Sequence, residues 1–152
     1  MAAEDELRRL GIELPSPPKP VATYIPAVRV GELVFLCGVI PVRDGMLAFS
    51  GKLGRDLLVS QGYAAARVAL LNALAILRAE VGSLDRVKKV VRMVGYVASG
   101  EGFGEQPAVI NGASDLLVEV FAEAGRHARV AVGVAELPLN APVELELIVQ
   151  VD

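Results

Sequence analysis

The chain has 152 residues, 53% of them apolar and 22% charged, with a formal net charge of −3. This composition is typical of one globular domain, and the acidic balance argues against nucleic acid or an anionic membrane as a partner. One cysteine, Cys37, excludes an internal disulfide and favours the cytoplasm. We predict a single domain over residues 1–152, in which residues 1–20 form a helix and a proline-rich arm and residues 21–152 form the core.

The first 40 residues predict a helix, an arm and a hairpin. A short polar helix at residues 4–10 is followed by residues 14–20, whose four prolines exclude a helix or a central strand. This arm is expected to pack over the body of the protein or over a neighbouring subunit. Residues 28–30 and 33–40 are rich in Val and Leu and flank Gly31-Glu32, which predicts a β-hairpin.

The middle of the chain alternates between strand and helix patterns. Residues 46–49 predict a short third strand. A long helix rich in Ala and Leu is predicted at residues 61–81, with Ser60 as its N-cap and Gly82 at its end. The β-branched residues at 87–98 predict the next strand.

The last third of the chain predicts a helix at residues 106–124, closed by Gly125, and two strands at residues 127–138 and 142–151. The order β-β-β-α-β-α-β-β predicts an α+β fold with two helices packed on one face of a mixed sheet. The apolar fraction is high for a chain with few aromatic residues. We therefore expect a symmetry-related copy to cover the other face.

The last two predicted strands each carry charged residues within an apolar run. If the apolar faces of both strands turn toward the core, Arg129 and Glu144 share the exposed side of the sheet. Arg129 would then clamp a carboxylate through two hydrogen bonds, and Glu144 would hold a water or transfer a proton. An ion pair, with Glu144 or between subunits, is the alternative. Glu146 has the same facing as Glu144, so the pattern does not choose between the two glutamates.

Four further positions each allow two interpretations. Tyr24 lines a pocket or packs, and Cys37 is a buried strand residue or a nucleophile. His127, the only histidine, reaches a ligand or belongs to a surface loop. Residues 111–115 contain Asn, Gly, Ser and Asp, which are poor helix formers. They either permit close approach of the backbone at a site or mark the start of the second long helix.

Two segments carry a family resemblance, the run from Arg129 to Pro138 followed by Val143-Glu144, and the run from Tyr24 to Val42. The first resembles the C-terminal signature, and the second the first hairpin, of the Rid family of reactive enamine/imine deaminases. Members of this family are YjgF-like and are also described as endoribonuclease L-PSP-like. The longer N-terminal segment resembles a long-chain branch of the family.

This resemblance implies a chorismate mutase-like fold of the bacillus type, assembled as a homotrimer with clefts between subunits. Active members hydrolyse 2-imino acids, formed from enamines such as 2-aminoacrylate, to 2-keto acids and ammonia, without a metal or organic cofactor. By position, Arg129 matches the arginine that binds the substrate carboxylate. Glu144 matches the glutamate that handles the attacking water. Tyr24 and Asn111 match a tyrosine and an asparagine that line the cleft.

Other pocket positions depart from the family pattern. Ala131 stands where many relatives have Cys, Cys37 where they have Ser, and His127 where they have Pro or Ala. Val39 replaces a Gln. The carboxylate clamp is kept while the rest of the pocket is remodelled. We therefore predict hydrolytic deamination of reactive 2-imino acids, with a non-catalytic trimer that binds small carboxylate metabolites, such as keto acids, as the alternative.

Overall fold

The computed structural model describes residues 2–20 and 22–152 of the chain. Within these ranges, no helix is both long enough and apolar enough to cross a membrane. The helices are α1 (Ala3–Arg9), α2 (Val59–Val81) and α3 (Gln106–Phe121). The strands are β1 (Ala27–Val30), β2 (Leu33–Leu36), β3 (Val42–Arg43), β4 (Met46–Leu47), β5 (Val87–Ala98), β6 (Ala128–Val134) and β7 (Val143–Val151).

Five strands form one mixed sheet in the order β1-β2-β7-β5-β6. Neighbouring strands are antiparallel except β5 and β6, which run parallel. A parallel pair needs a crossover connection, and α3 supplies it. β3 and β4 form a separate hairpin, so the predicted third strand lies outside the main sheet. The predicted α+β class and the order of the main elements are confirmed.

Helices α2 and α3 pack together on one face of the sheet, with α2 over β7 and α3 over β5 and β6. Alternate residues of β7, from Val143 to Val151, point toward the helices and are at most 2% exposed. The residues between them, including Glu144 and Glu146, are half-buried on the opposite face. The burial of β7 therefore follows the predicted alternation.

The face of the sheet opposite the helices keeps apolar side chains exposed. Val28 pairs with Phe35, and Phe35 pairs with Ile148 of β7, which places all three on this outer face. Val28 is 47% exposed and Phe35 is 40% exposed. A contiguous apolar surface of this kind is typical of a protein–protein contact.

The backbone of α3 approaches α2 more closely than a side chain would permit. A Cβ at Gly112 would lie 2.0 Å from the carbonyl oxygen of Tyr63 in α2. Gly112 lies in the interior of α3, so residues 111–115 do not mark the start of that helix. The segment does permit close approach of the backbone, here to α2, while its role at a site stays a prediction.

The predicted start of α2 is wrong, whereas its end is confirmed. The helix begins at Val59, so Ser60 lies inside it rather than at its N-cap. The side chain of Gln61 accepts a 2.8 Å hydrogen bond from the backbone N–H of Leu58, the residue that directly precedes the helix. Gly82 ends the helix with a φ of 91°, which favours glycine.

Two other predicted elements are too long. α3 stops at Phe121, because Ala122 has a φ of 52° and the chain tightens into a 3₁₀ turn over Ala122–Gly125. β2 ends at Leu36 rather than continuing to residue 40. The chain leaves the ladder there and returns only at Val39, which bridges Leu145.

The N-terminal segment packs on the body of its own chain. Ala3, Leu7 and Leu14 are buried in the core, and α1 lies against α3. One carboxylate oxygen of Glu4 accepts a 3.0 Å hydrogen bond from the backbone N–H of Leu84. Residues 15–20 are mostly exposed. The first part of the predicted arm is therefore anchored, and the prolines follow on the surface.

The contact at Gly112 yields a stability prediction. Gly112→Ala forces α2 and α3 apart, and we expect it to lower the free energy of unfolding by about 3 kcal/mol, as overpacking does in a close-packed core. Urea unfolding followed by circular dichroism measures the change. Gly104→Ala is the matched control, because a Cβ at Gly104 meets no heavy atom within 4 Å. Equal unfolding midpoints for the two variants would contradict the close contact.

Candidate functional site

The direction of Arg129 is set by the pairing of β6 with β5. Arg129 pairs with Met93 and Ala131 pairs with Gly95 in the parallel register. Met93 and Gly95 are buried on the helix side of β5. Arg129 and Ala131 therefore point to the side of the sheet that α3 covers.

The expectation that Arg129 and Glu144 share one face of the sheet is wrong. Val132 pairs with Tyr96, and Tyr96 pairs with Glu144, so these three residues lie on the outer face. β6 is an edge strand, and after Arg129 its helix-facing positions, Ala131 and Gly133, are occupied by small residues beneath α3. A Cβ at Gly133, for example, would lie 2.9 Å from the Gln106 side chain. The valines of β6 consequently turn outward rather than toward the core.

The guanidinium of Arg129 is held by α3. Its Nη1 donates to Asn111 Oδ1 at 2.8 Å and to Ser114 Oγ at 3.0 Å, while Nη2 makes a longer contact of 3.4 Å with the carbonyl of Pro107. Within the described ranges, no carboxylate forms a salt bridge with Arg129. The alternative of an ion pair with Glu144 in the same chain is therefore wrong.

His127 is neither free nor part of a loose surface loop. It is half-buried, its Nε2 lies 2.9 Å from Ser114 Oγ, and its Nδ1 lies 2.6 Å from the carbonyl oxygen of Gly125. A carbonyl oxygen can only accept a hydrogen bond, so the neutral ring carries its proton on Nδ1. Ser114 then donates its hydroxyl proton to Nε2 and accepts from Arg129.

A second polar cluster lies on the outer face of the sheet around Glu144. Burial, and then the charge of Glu146, raises the pKa of Glu144 above its ordinary value of 4.5. Glu146 differs, because it accepts a 2.9 Å hydrogen bond from the hydroxyl of Tyr96, and this bond raises the pKa of Tyr96. Of the two glutamates that the sequence left equivalent, Glu144 has the environment of a proton-transfer group.

The first hairpin contributes Cys37 and Gly38 beside Glu144. A Cβ at Gly38 would lie 3.0 Å from the Glu144 carboxyl carbon, so the glycine gives that carboxyl its space. Burial raises the pKa of the Cys37 thiol, with a further contribution from the charge of Glu144. A neutral thiol is a poor nucleophile, which favours the packing interpretation of Cys37.

Tyr24 stands apart from both clusters in a single chain. It precedes β1, is 45% exposed, and has no side-chain hydrogen bond to Arg129 or Glu144 in the described part of the chain. The structure thus brings together Arg129, Asn111 and His127 on the helix side and places Glu144 with Cys37 on the outer side. The binding roles of these residues, and of Tyr24 and Ala131, stay predictions.

Two groups that the structure places in these clusters have no role in the predictions from sequence, the Pro107 carbonyl and the Tyr96 hydroxyl. For Ser114 the sequence predicts only a polar group of residues 111–115 or a helix cap, whereas its hydroxyl bonds to Arg129. The spacing of Asn111 and Ser114, three residues apart on one helix, would have predicted that they share a face. Tyr96 is identified only by the strand register. Across the described residues, no group of three or more acidic, histidine or cysteine side chains could hold a metal ion.

Comparison with known proteins identifies the family. The profile described as "YjgF/chorismate_mutase-like, putative endoribonuclease" matches residues 4–151. The chain belongs to this family. The resemblance drawn from the C-terminal signature and the first hairpin, and the chorismate mutase-like fold, are therefore confirmed.

Individual relatives cover nearly the whole chain. Protein TCP17 of Trypanosoma cruzi is 44% identical over 147 residues, which is 96% of this chain and 92% of that protein. A 2-iminobutanoate/2-iminopropanoate deaminase of Dermatophagoides farinae is 32% identical over 141 residues, or 93% of this chain and 95% of that protein. A crystal structure of a Shewanella oneidensis protein superposes with a TM-score of 0.96 at 38% identity, covering 99% of this chain and 100% of that one.

Proposed function

We propose that this family member hydrolyses reactive 2-imino acids, of the kind derived from 2-aminoacrylate, to 2-keto acids and ammonia in the cytoplasm. The observation that supports the proposal most strongly is the pattern of hydrogen bonds around the Arg129 guanidinium. Both protons of its Nη1 are taken by Asn111 and Ser114, and in the described chain no hydrogen bond reaches its Nε. The Nε–Nη2 edge can therefore meet a carboxylate side-on. The relative named as an imine deaminase supports the same reaction.

The chemistry follows from a fixed carboxylate and a nearby proton carrier. Arg129 holds the substrate carboxylate in two parallel hydrogen bonds and so orients the adjacent imine carbon. The imine nitrogen takes a proton from solvent while Glu144 takes a proton from water and the water oxygen bonds to the imine carbon, which gives a carbinolamine. Glu144 then returns its proton to the amino group, the carbon–nitrogen bond breaks, and the hydroxyl loses its proton to solvent as the keto group forms and ammonia leaves. Because burial raises the pKa of Glu144, its protonated form is more accessible, which suits this carboxyl to accepting a proton and returning it.

The positions of Arg129 and Glu144 support a site that is built from two copies of the chain. They lie on opposite faces of the sheet, and β5 separates their strands, which puts those strands about 10 Å apart. A small imino acid cannot contact both groups within one chain. We propose a homotrimer in which the β6 edge of one copy lies against the outer sheet face of the next. Tyr24 and Cys37 would join the cleft from the same copy as Glu144.

Binding without turnover is the second candidate function. Within the described residues, the direct partners of Arg129 are neutral groups, and both nitrogens of the nearby imidazole are already bonded. An arrangement of this kind binds a small keto acid without needing any proton transfer. The same cleft serves both functions, so turnover decides between them.

The catalytic proposal predicts the effect of removing the guanidinium. In a coupled assay, a dehydratase generates 2-aminoacrylate and the release of keto acid and ammonia is followed. We expect Arg129→Ala to lower the accelerated rate about a hundredfold, because the substrate carboxylate loses its charged hydrogen-bonding partner. Arg126→Ala is the matched control, since Arg126 pairs only with Glu123 in the described chain and its side chain is 70% exposed.

The outcomes of this assay separate the two candidate functions. If the wild-type protein does not accelerate release, the catalytic proposal fails. If it also binds 2-ketobutyrate in calorimetry and Arg129→Ala abolishes that binding, the non-catalytic alternative is selected. If Arg129→Ala retains the full wild-type rate, Arg129 is not the substrate clamp.

The assembly proposal predicts that a charge on the outer face disperses the trimer. Val132 on β6 and Val118 on α3 are each 40% exposed, so they form a matched pair on opposite sides of the protein. We expect Val132→Lys to give monomers in light scattering, because the lysine would be desolvated between copies. Val118→Lys should remain a trimer. A monomeric wild-type protein, or a trimeric Val132→Lys variant, would contradict the proposed contact.

A further inference from the structure

A chain of hydrogen bonds runs from the backbone of Gly125 through His127 and Ser114 to Arg129. The distances along it are 2.6 Å from Gly125 O to Nδ1, 2.9 Å from Nε2 to Ser114 Oγ, and 3.0 Å from Oγ to Nη1. His127 and Ser114 are half-buried, which shields these bonds from competing water. Neither residue has a step in the proposed deamination, so the chain needs an explanation of its own.

Only one donor-to-acceptor direction along this series of hydrogen bonds satisfies every group. The carbonyl of Gly125 fixes the ring proton on Nδ1, so Nε2 is an acceptor. The single hydroxyl proton of Ser114 must then point to Nε2. The lone pairs of the hydroxyl are left to face Arg129, which carries only donors. Each bond thus determines the polarity of the next one.

We propose that Ser114 and His127 are positioning residues that fix the orientation of the Arg129 guanidinium. Its role as the carboxylate clamp rests on the proposed function. Ser114 and Asn111 lie three residues apart on α3 and together take both protons of Nη1. Rotation of the guanidinium plane would break both bonds. The Nε–Nη2 edge is thereby held in one direction before the ligand arrives, which lowers the entropic cost of binding.

The charged side chains near the His127–Ser114–Arg129 hydrogen bonds do not suggest another role for these bonds. Asp115 accepts a 2.7 Å hydrogen bond from the hydroxyl of Tyr63, and Arg126 pairs with Glu123. Neither of these side chains bonds to the imidazole in the described structure. Ser114 accepts a hydrogen bond from a cation, which withdraws electron density from Oγ and makes it a poor nucleophile. The Ser–His pair is therefore suited to holding Arg129 rather than to covalent catalysis.

The first test observes the hydrogen bonds of the His127 ring directly by NMR and needs neither a ligand nor turnover. His127 is the only histidine, so a long-range ¹H–¹⁵N spectrum of the full-length protein in alkaline buffer shows a single imidazole. We expect the proton on Nδ1 and an Nε2 that accepts a hydrogen bond. Ser114→Ala should move the Nε2 resonance toward that of a free acceptor. Arg129→Ala should move it less, and should have no effect once Ser114 is Ala.

The second test measures what the chain contributes to binding. We expect Ser114→Ala to weaken binding of 2-ketobutyrate about tenfold in calorimetry, because the guanidinium loses a fixing bond. Ser114→Thr keeps the hydroxyl and should restore most of the affinity. In an Arg129→Ala background, Ser114→Ala should have no further effect. Ser60→Ala is the matched control on α2, where the serine is exposed.

The two tests separate this proposal from the proposed function. A ring protonated on Nε2, or an Nε2 resonance insensitive to Ser114→Ala, would overturn the positioning role. It is also overturned if the wild type binds 2-ketobutyrate and Ser114→Ala binds as tightly as Ser60→Ala. If the imidazole responds as expected but the wild type neither binds nor turns over a carboxylate, the positioning stands and the proposed function fails.

Discussion

The seating of α3 on the sheet and on α2 is the constraint from which the rest of the candidate site follows. Two glycines permit it. A Cβ at Gly112 would lie 2.0 Å from the backbone of α2, and a Cβ at Gly95 would lie 2.6 Å from Ile110 of α3. Because the helix lies this close to β5 and β6, Asn111 and Ser114 come within hydrogen-bonding distance of Arg129. A helix displaced outward would leave that guanidinium to bulk solvent.

The same packing divides the charged groups between two faces. Arg129 is drawn to the helix side of the edge strand, while Glu144 stays on the outer side, next to the first hairpin. Neither group is neutralised by the other within one chain. Arg129 is held by neutral hydrogen-bond acceptors, whereas burial of Glu144 raises its pKa and so favours its protonated form. This division explains why the proposed chemistry needs an assembly rather than a pocket inside one subunit.

Much of the fold could be predicted from local sequence patterns, because the spacing of apolar residues reflects which side chains are buried. The alternation in β7 and the glycine at the end of α2 both led to correct predictions. The orientation of β6 could not be predicted in the same way. Its valines look like a core-facing row, but an edge strand beneath a close helix needs small residues inward, and only the register with β5 reveals this. Ser60 is not the cap of α2 because the helix already begins one residue earlier, at Val59.

The measurement that tests the central claim most directly is complementation between two inactive variants. Arg129→Ala and Glu144→Gln chains are co-refolded in equal amounts, and imine hydrolysis by the mixture is compared with that of each parent. If a site takes its arginine from one copy and its glutamate from the next, mixed assemblies contain intact clefts and activity returns. If light scattering shows that assemblies form but the mixture stays as inactive as its parents, the two residues do not act across a subunit boundary and the account is wrong.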